Sequence, residues 1–177
     1  MPEKTIRNIY DFASILTSAV LAVCVIFTFV FKISAVDGDS MKNTLHNGDR
    51  VLITARDWNL QYGDIVVISQ PNAFDKVLIK RVIATEGQTV TVDAKTHQVL
   101  VNGKVLNEPY IAEAVAVQGY WSYPVTVPKG CVFVMGDNRN HSTDSRDPAV
   151  GMIDTRYIVG EAFYRIGDKQ LLTNSVE

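Results

Sequence analysis

Between Phe12 and Phe31 the chain contains no Asp, Glu, Lys or Arg, with Asp11 and Lys32 as bookends. Its polar members Ser14, Thr17, Ser18 and Thr28 carry hydroxyls that can bond back to helical carbonyls. As a helix rising about 1.5 Å per residue, the stretch is about 30 Å long and matches the hydrocarbon core of a bilayer. A cleavable leader would carry an apolar region of only about 7–15 residues, and Ile33-Ser34-Ala35 makes a poor small-x-small cleavage site. A buried core helix would show a polar stripe. The reading is an uncleaved single-pass anchor over residues 12–33, preceded by 1–11 and followed by one domain over 34–177. Lys4 and Arg7 precede the anchor while Lys32, Lys42, Arg50 and Arg56 follow it, so charge alone leaves the orientation open.

The rest of the 177-residue chain suffices for one domain with its own core. A formal net charge of −2 without any basic block gives no footprint for nucleic acid. Cys24 lies in the anchor and Cys131 opens the apolar run to Met135, so no disulfide supports the fold. Cys131 reads as a small buried hydrophobe. His46, His97 and His141 lack metal-ligand spacing, so neither a metal nor an organic cofactor is expected, and the chain is expected to be a monomer.

After the anchor the pattern is strands and turns. Asn47-Gly48-Asp49 precedes Arg50–Ile53, and Tyr62-Gly63-Asp64 precedes Ile65–Ile68, which Pro71-Asn72 closes. Further strands are expected over Val77–Ala84, Thr89–Val92, Gln98–Val101, Lys104–Leu106, Val125–Val127, Cys131–Val134, Tyr157–Val159 and Ala162–Ile166. Asn102-Gly103 predicts a two-residue hairpin, since both central residues need positive φ. Ser40–His46 could form one short helical turn. The fold expected is mainly β: an N-terminal transmembrane helix followed by a coiled antiparallel, barrel-like sheet.

Lys80 sits inside the apolar run Val77-Leu78-Ile79-Lys80-Arg81-Val82-Ile83-Ala84. Period-two alternation would turn it to solvent on a half-buried strand. Burial would instead favour the neutral amine, a proton acceptor that an ordinary surface lysine is not. Its company decides between the two: Asp37-Gly38-Asp39-Ser40-Met41 upstream, and Gly136-Asp137-Asn138 through Asp144-Ser145-Arg146 downstream.

Those segments carry a resemblance. Val36–Leu45 resembles the nucleophile box of type I signal peptidases, Lys80-Arg81-Val82-Ile83 their general-base box, and Gly136–Arg146 their third signature. Gly63-Asp64-Ile65-Val66-Val67 resembles the strand between the first two. The likeness runs in order from the anchor to about Ile166, and Gly38 with the small size resembles the Gram-positive branch. It implies a serine endopeptidase of the bacterial cell membrane, its domain outside the cytoplasm. Such an enzyme removes signal peptides from secretory preproteins at small-x-small sites. It implies Ser40 as nucleophile, Lys80 as general base and the Ser40 N–H as oxyanion donor. Some relatives add a hydroxyl two residues before the nucleophile, where this chain has Gly38, which leaves backbone or water to complete that hole. Ser142 would orient the Lys80 amine, and Asp144 with Arg146 would support the loop. Val36, Met41, Leu45, Leu78 and Ile79 become candidate walls of the pockets, with core packing as the alternative for each.

Rival readings remain. A self-cleaving Ser/Lys peptidase shares the dyad but not the anchor, His141 is an alternative base, and a tethered non-catalytic β-domain would act by binding. Trp58, Tyr62 and Tyr120-Trp121-Ser122-Tyr123 are candidates for the headgroup layer, with ordinary packing as the alternative. Asn43 departs from the family pattern, which has proline three residues after the serine. Proline fixes φ, whereas asparagine caps the turn through its side chain. Asn43→Pro is expected to leave kcat/KM on a preprotein within about tenfold of wild type; a larger loss would mean a differently built loop.

Overall fold

The computed structural model describes residues 3–54, 59–71, 73 and 75–172. Two compact units divide it, Met1–Lys32 and Ile33–Glu177.

The first unit is the helix α1 (Glu3–Val30), of which Glu3–Val25 is long and apolar enough to cross a membrane. It starts ahead of the uncharged run and takes in Lys4, Arg7 and Asp11. Thr17 Oγ1 donates to Ala13 O at 2.8 Å and Thr28 Oγ1 to Cys24 O at 2.7 Å, so both hydroxyls are satisfied within the helix. At Phe31 the backbone becomes extended, and the last residues of the expected anchor belong to a strand instead.

That strand is β1 (Phe31–Ala35), followed by β2 (Arg50–Thr54), β3 (Ile65–Ile68) and β4 (Leu78–Thr85). Then come β5 (Thr89–Asp93), β6 (Gln98–Val101), β7 (Lys104–Val105) and β8 (Val125–Thr126). The remaining strands are β9 (Cys131–Met135), β10 (Ile153–Asp154), β11 (Ile158–Arg165) and β12 (Gln170–Leu171). Among the described residues, an eight-stranded sheet runs β1-β2-β11-β3-β4-β9-β10 with β12 on β11, and a four-stranded sheet runs β7-β6-β5-β8. The pairs β2–β11, β11–β3, β3–β4 and β4–β9 are antiparallel. The fold is mainly β, as expected. Asn102 and Gly103 take φ of 52° and 76° at the β6–β7 hairpin, the left-handed pair that this dipeptide favours.

Three apolar clusters hold the sheets. β3 sends Ile65 and Val67 into one of them and Val66 and Ile68 into another, so both of its faces are covered. β4 contributes Val82 to the second cluster but Ile83 and Ala84 to a third, with a register shift between Val82 and Ala84. A bulge of this kind breaks strict alternation. Lys80, ahead of that shift and in register with Val66 of β3, is not turned to solvent: it is only 3% exposed.

Two expected strands near the C-terminus are one, β11, with register shifts between Ile158 and Gly160 and between Ala162 and Tyr164. Ser40–His46 is a series of turns rather than a helix, with Leu45 N–H donating to Met41 O at 2.8 Å. Asn72 lies outside the described residues. At Gly160 a side chain would meet the neighbouring backbone, since a Cβ there would sit 2.2 Å from Thr54 O. Gly160→Ala is expected to cost about 1–3 kcal/mol, read as a lower urea midpoint at unchanged m-value. An unchanged midpoint would mean that β2 can move aside.

Candidate active site

Ser40 lies on the loop between β1 and β2. Its foot is closed by main chain, with Val36 N–H donating to Asp49 O at 2.8 Å and Gly48 N–H to Val36 O at 2.9 Å. Gly38 takes φ of 90°, where a side chain would strain the backbone, and its N–H donates to Asn47 Oδ1 at 2.9 Å. Met41 and Leu45 are buried with Val51, Ile53, Ile65 and Val67 and fix the loop to the core. Leu45 is thus a core residue and not a wall of the groove, because the turn from Met41 directs it inward.

β4 brings Lys80 to this loop, where its Nζ donates to Ser40 Oγ at 2.7 Å. Desolvation by burial is the largest influence on that amine and lowers its pKa from 10.5 to about 8. The carboxylates of Asp144 and Asp137 pull it upward, while the Arg146 guanidinium adds to the depression.

The third segment encloses the pair. Arg81, next to Lys80, donates from Nε and Nη2 to Asp137 at 2.8 and 2.6 Å, and from Nη1 to Gly63 O at 2.7 Å. Thr44 Oγ1 donates to the same Asp137 carboxylate, which joins the Ser40 loop to this ion pair. Asp144 accepts from Arg146 Nε at 2.8 Å and Nη2 at 2.9 Å, and from Gly136 N–H at 3.0 Å. Arg146 Nη1 and Nη2 also donate to Val117 O and Arg139 O, at 3.0 and 2.6 Å. Ser142 Oγ is buried and makes no hydrogen bond, to Lys80 or to any other described group. It packs so closely on Gly136 that a Cβ there would lie 2.3 Å from it.

A groove of about 410 Å³ opens over Ser40, with Val36, Met41, Leu78 and Ile79 among its lining residues. Gly38, His141 and Thr143 also line it. His141 faces outward, its Nε2 lying 3.9 Å from Glu113 Oε1, and does not bond to Ser40. Among the described residues no cluster of His, Cys, Asp or Glu could hold a metal ion.

Reasoning from sequence missed a strap that follows β7. Its Glu108 accepts from Arg139 Nη1 and Nη2 at 2.8 and 2.6 Å, with Arg139 1% exposed. Tyr110 lays its ring over the Arg81 guanidinium, 3.9 Å from carbon to centroid, and burial pushes its hydroxyl strongly up in pKa. The only available signal was Glu108-Pro109-Tyr110 itself, a short polar-aromatic break between strands. Trp58 lies outside the described residues. Tyr62 bonds through its hydroxyl to Asn107 O and to the Tyr110 hydroxyl, and Trp121 Nε1 donates to Ser145 O at 2.6 Å, so both rings are committed inward. Tyr120 remains open, 76% exposed. Removing one partner of a buried ion pair strands the other, so Glu108→Gln is expected to cost about 3–5 kcal/mol. Equilibrium denaturation measures it, and a loss under about 1 kcal/mol would mean that water reaches Arg139.

The family model for signal peptidase, peptidase S26, matches residues 9–166. Signal peptidase I S of Bacillus subtilis (strain 168) is 37% identical over 168 residues, spanning 87% of this chain and 86% of its own. Signal peptidase I of Mycobacterium tuberculosis (strain ATCC 25618 / H37Rv) is 32% identical, spanning 86% of this chain and 70% of its own. The crystal structure of a signal peptidase I from Enterococcus faecalis V583 superposes with a TM-score of 0.50 at 27% identity, covering 60% of this chain and 98% of that one. A family match over most of the chain, with both relatives above 30% identity, leaves one assignment: this chain belongs to the signal peptidase family, peptidase S26, and is an enzyme of that type.

Proposed function

We propose that this chain is a membrane-anchored serine endopeptidase that removes N-terminal signal peptides from secretory preproteins, with Ser40 as nucleophile and Lys80 as general base. The observation that carries it is the 2.7 Å contact between a buried, pKa-depressed lysine and a serine at the floor of a groove. With the amine neutral, the hydroxyl donates to the nitrogen lone pair. Lys80 takes the proton as Ser40 Oγ attacks the scissile carbonyl carbon. The ammonium then protonates the departing amine nitrogen, leaving an acyl-enzyme. Lys80 next deprotonates the water that releases the acyl group. The Ser40 N–H bonds the oxyanion. Ser142, whose buried hydroxyl lacks a partner, is assigned to steadying the Lys80 amine once the serine proton has moved. Asp144 and Arg146 support its loop.

Val36, Met41, Leu78 and Ile79 narrow the groove and select small side chains just before the cut and two residues earlier, by excluding bulk. The topology we propose places the residues before Phe12 in the cytoplasm, the uncharged helical run from Phe12 to Val30 across the bacterial cell membrane, and the domain from β1 onward outside, where a preprotein emerges. The length and composition of α1 support it. Neither nucleic acid nor a second copy of the chain enters the reaction.

Purified full-length chain in detergent is expected to cleave an Ala-x-Ala preprotein after the second alanine, and Ser40→Ala and Lys80→Ala separately to abolish cleavage. Activity that survives Lys80→Ala and vanishes in His141→Ala would overturn the dyad. The chemistry needs the neutral amine, so kcat is expected to fall about tenfold per pH unit below a limb near pH 8. A limb near 10.5 instead would mean a lysine that is solvated in the working enzyme.

A further inference from the structure

We infer that Asn138 positions the oxyanion donor: its side-chain amide holds the Asp39–Ser40 peptide so that the Ser40 N–H faces the groove. This rests on the assignment of Ser40 as nucleophile. Asn138 Nδ2 donates to Asp39 O at 3.1 Å, and Asn138 N–H donates to Ser40 O at 3.0 Å. One residue thus grips the carbonyls on both sides of the nucleophile. Lys42 N–H adds a second bond to Asp39 O, at 3.2 Å.

The Asp39–Ser40 peptide is trans, so its carbonyl and its N–H point in opposite directions. With the carbonyl fixed toward Asn138, the N–H points away from it. Asn138 is 8% exposed and stands outside the groove lining, whereas Asp39, Ser40 and Met41 form part of that lining. The open side of this peptide is assigned to the groove, because Asp39, Ser40 and Met41 line it and no described acceptor meets the Ser40 N–H. Preorganised donors act by needing no reorientation as charge develops, and removing one costs about 10²–10³ in rate.

Gly38 cannot share the load. It has no side chain, and its N–H is occupied by Asn47 Oδ1 at 2.9 Å. The orientation of one peptide plane accordingly carries more of the hole than it would beside a second fixed donor. Asn138 is itself held firmly: His141 N–H donates to its carbonyl at 3.0 Å, and its neighbours Asp137 and Arg139 are buried in ion pairs with Arg81 and Glu108. The side-chain bond to Asp39 O gives it a duty beyond closing a Gly-Asp-Asn turn.

The test compares full-length wild type with Asn138→Ala and Asn138→Asp in detergent. Asn138→Asp keeps the side chain's size but presents no amide donor, and both variants keep the main-chain bond to Ser40 O. Constants are taken per folded molecule, counted by near-UV circular dichroism. The inhibitors are a signal-peptide aldehyde, which adds to Ser40 as a tetrahedral oxyanion, and a non-cleavable peptide of the same sequence. Loss of the donor should lower kcat and weaken the aldehyde by the same factor, about 10–100-fold. KM and the affinity of the non-cleavable peptide should stay within about threefold. Equal loss in all the constants, or unchanged aldehyde affinity, would overturn the inference. A wild-type measurement stands independently of how the variants fold: in ¹⁵N-serine-labelled chain the Ser40 amide should exchange freely with solvent and become protected when the aldehyde binds. Protection before ligand is added would also overturn it. Failure of the nucleophile assignment looks different, because the aldehyde would then form no adduct and Ser40→Ala would retain activity.

Discussion

The burial of Lys80 is the constraint around which the domain is arranged. An amine whose pKa is lowered inside a protein needs dry surroundings and little net negative charge nearby. β4 supplies the first by lying between β3 and β9. The second is harder, because Asp137 and Asp144 are both buried close enough to raise the amine's pKa. Each is paired with an arginine, Asp137 with Arg81 and Asp144 with Arg146. Desolvation outweighs the upward pull of both carboxylates, with the Arg146 guanidinium on its side, and brings the amine down to about 8. The ion pairs thus set the electrostatics of the site as well as its shape.

Geometry follows from the same groups. Asp137 takes bonds from Arg81 beside Lys80 and from Thr44 four residues beyond Ser40, which joins the three signature segments at one carboxylate. Asn138, next along, holds the carbonyls around Ser40. The strap carrying Glu108 and Tyr110 closes over Arg81 and Arg139 from outside. Reactive groups need placement within about half an ångström, and here that precision comes from buried, hydrogen-bonded charge rather than from apolar packing alone.

Much of this was legible beforehand, for identifiable reasons. Turn chemistry is local, so Asn102-Gly103 marked its hairpin and the runs before and after it marked their strands. The signature segments were visible because each is a short contiguous string. β10 and β12 escaped notice because two residues carry no periodicity. β1 was hidden because its apolar residues continue the uncharged run. Leu45 stayed open between pocket wall and core because a buried core leucine and a pocket leucine read alike in sequence. Glu108 gave no sign of its partner, which lies in another box and meets it only after folding.

By itself the sequence determined the residue types available for chemistry, the order of the segments that carry them, and the mainly β character of the domain, because composition, spacing and turn preference act over a few neighbouring residues. Only the tertiary structure decided that Lys80 is buried and in contact with Ser40, that Asp137 and Asp144 pair with Arg81 and Arg146, and how the Asp39–Ser40 peptide is held by Asn138. Those properties depend on distance and solvent exclusion between strands far apart in the chain, which no local pattern encodes.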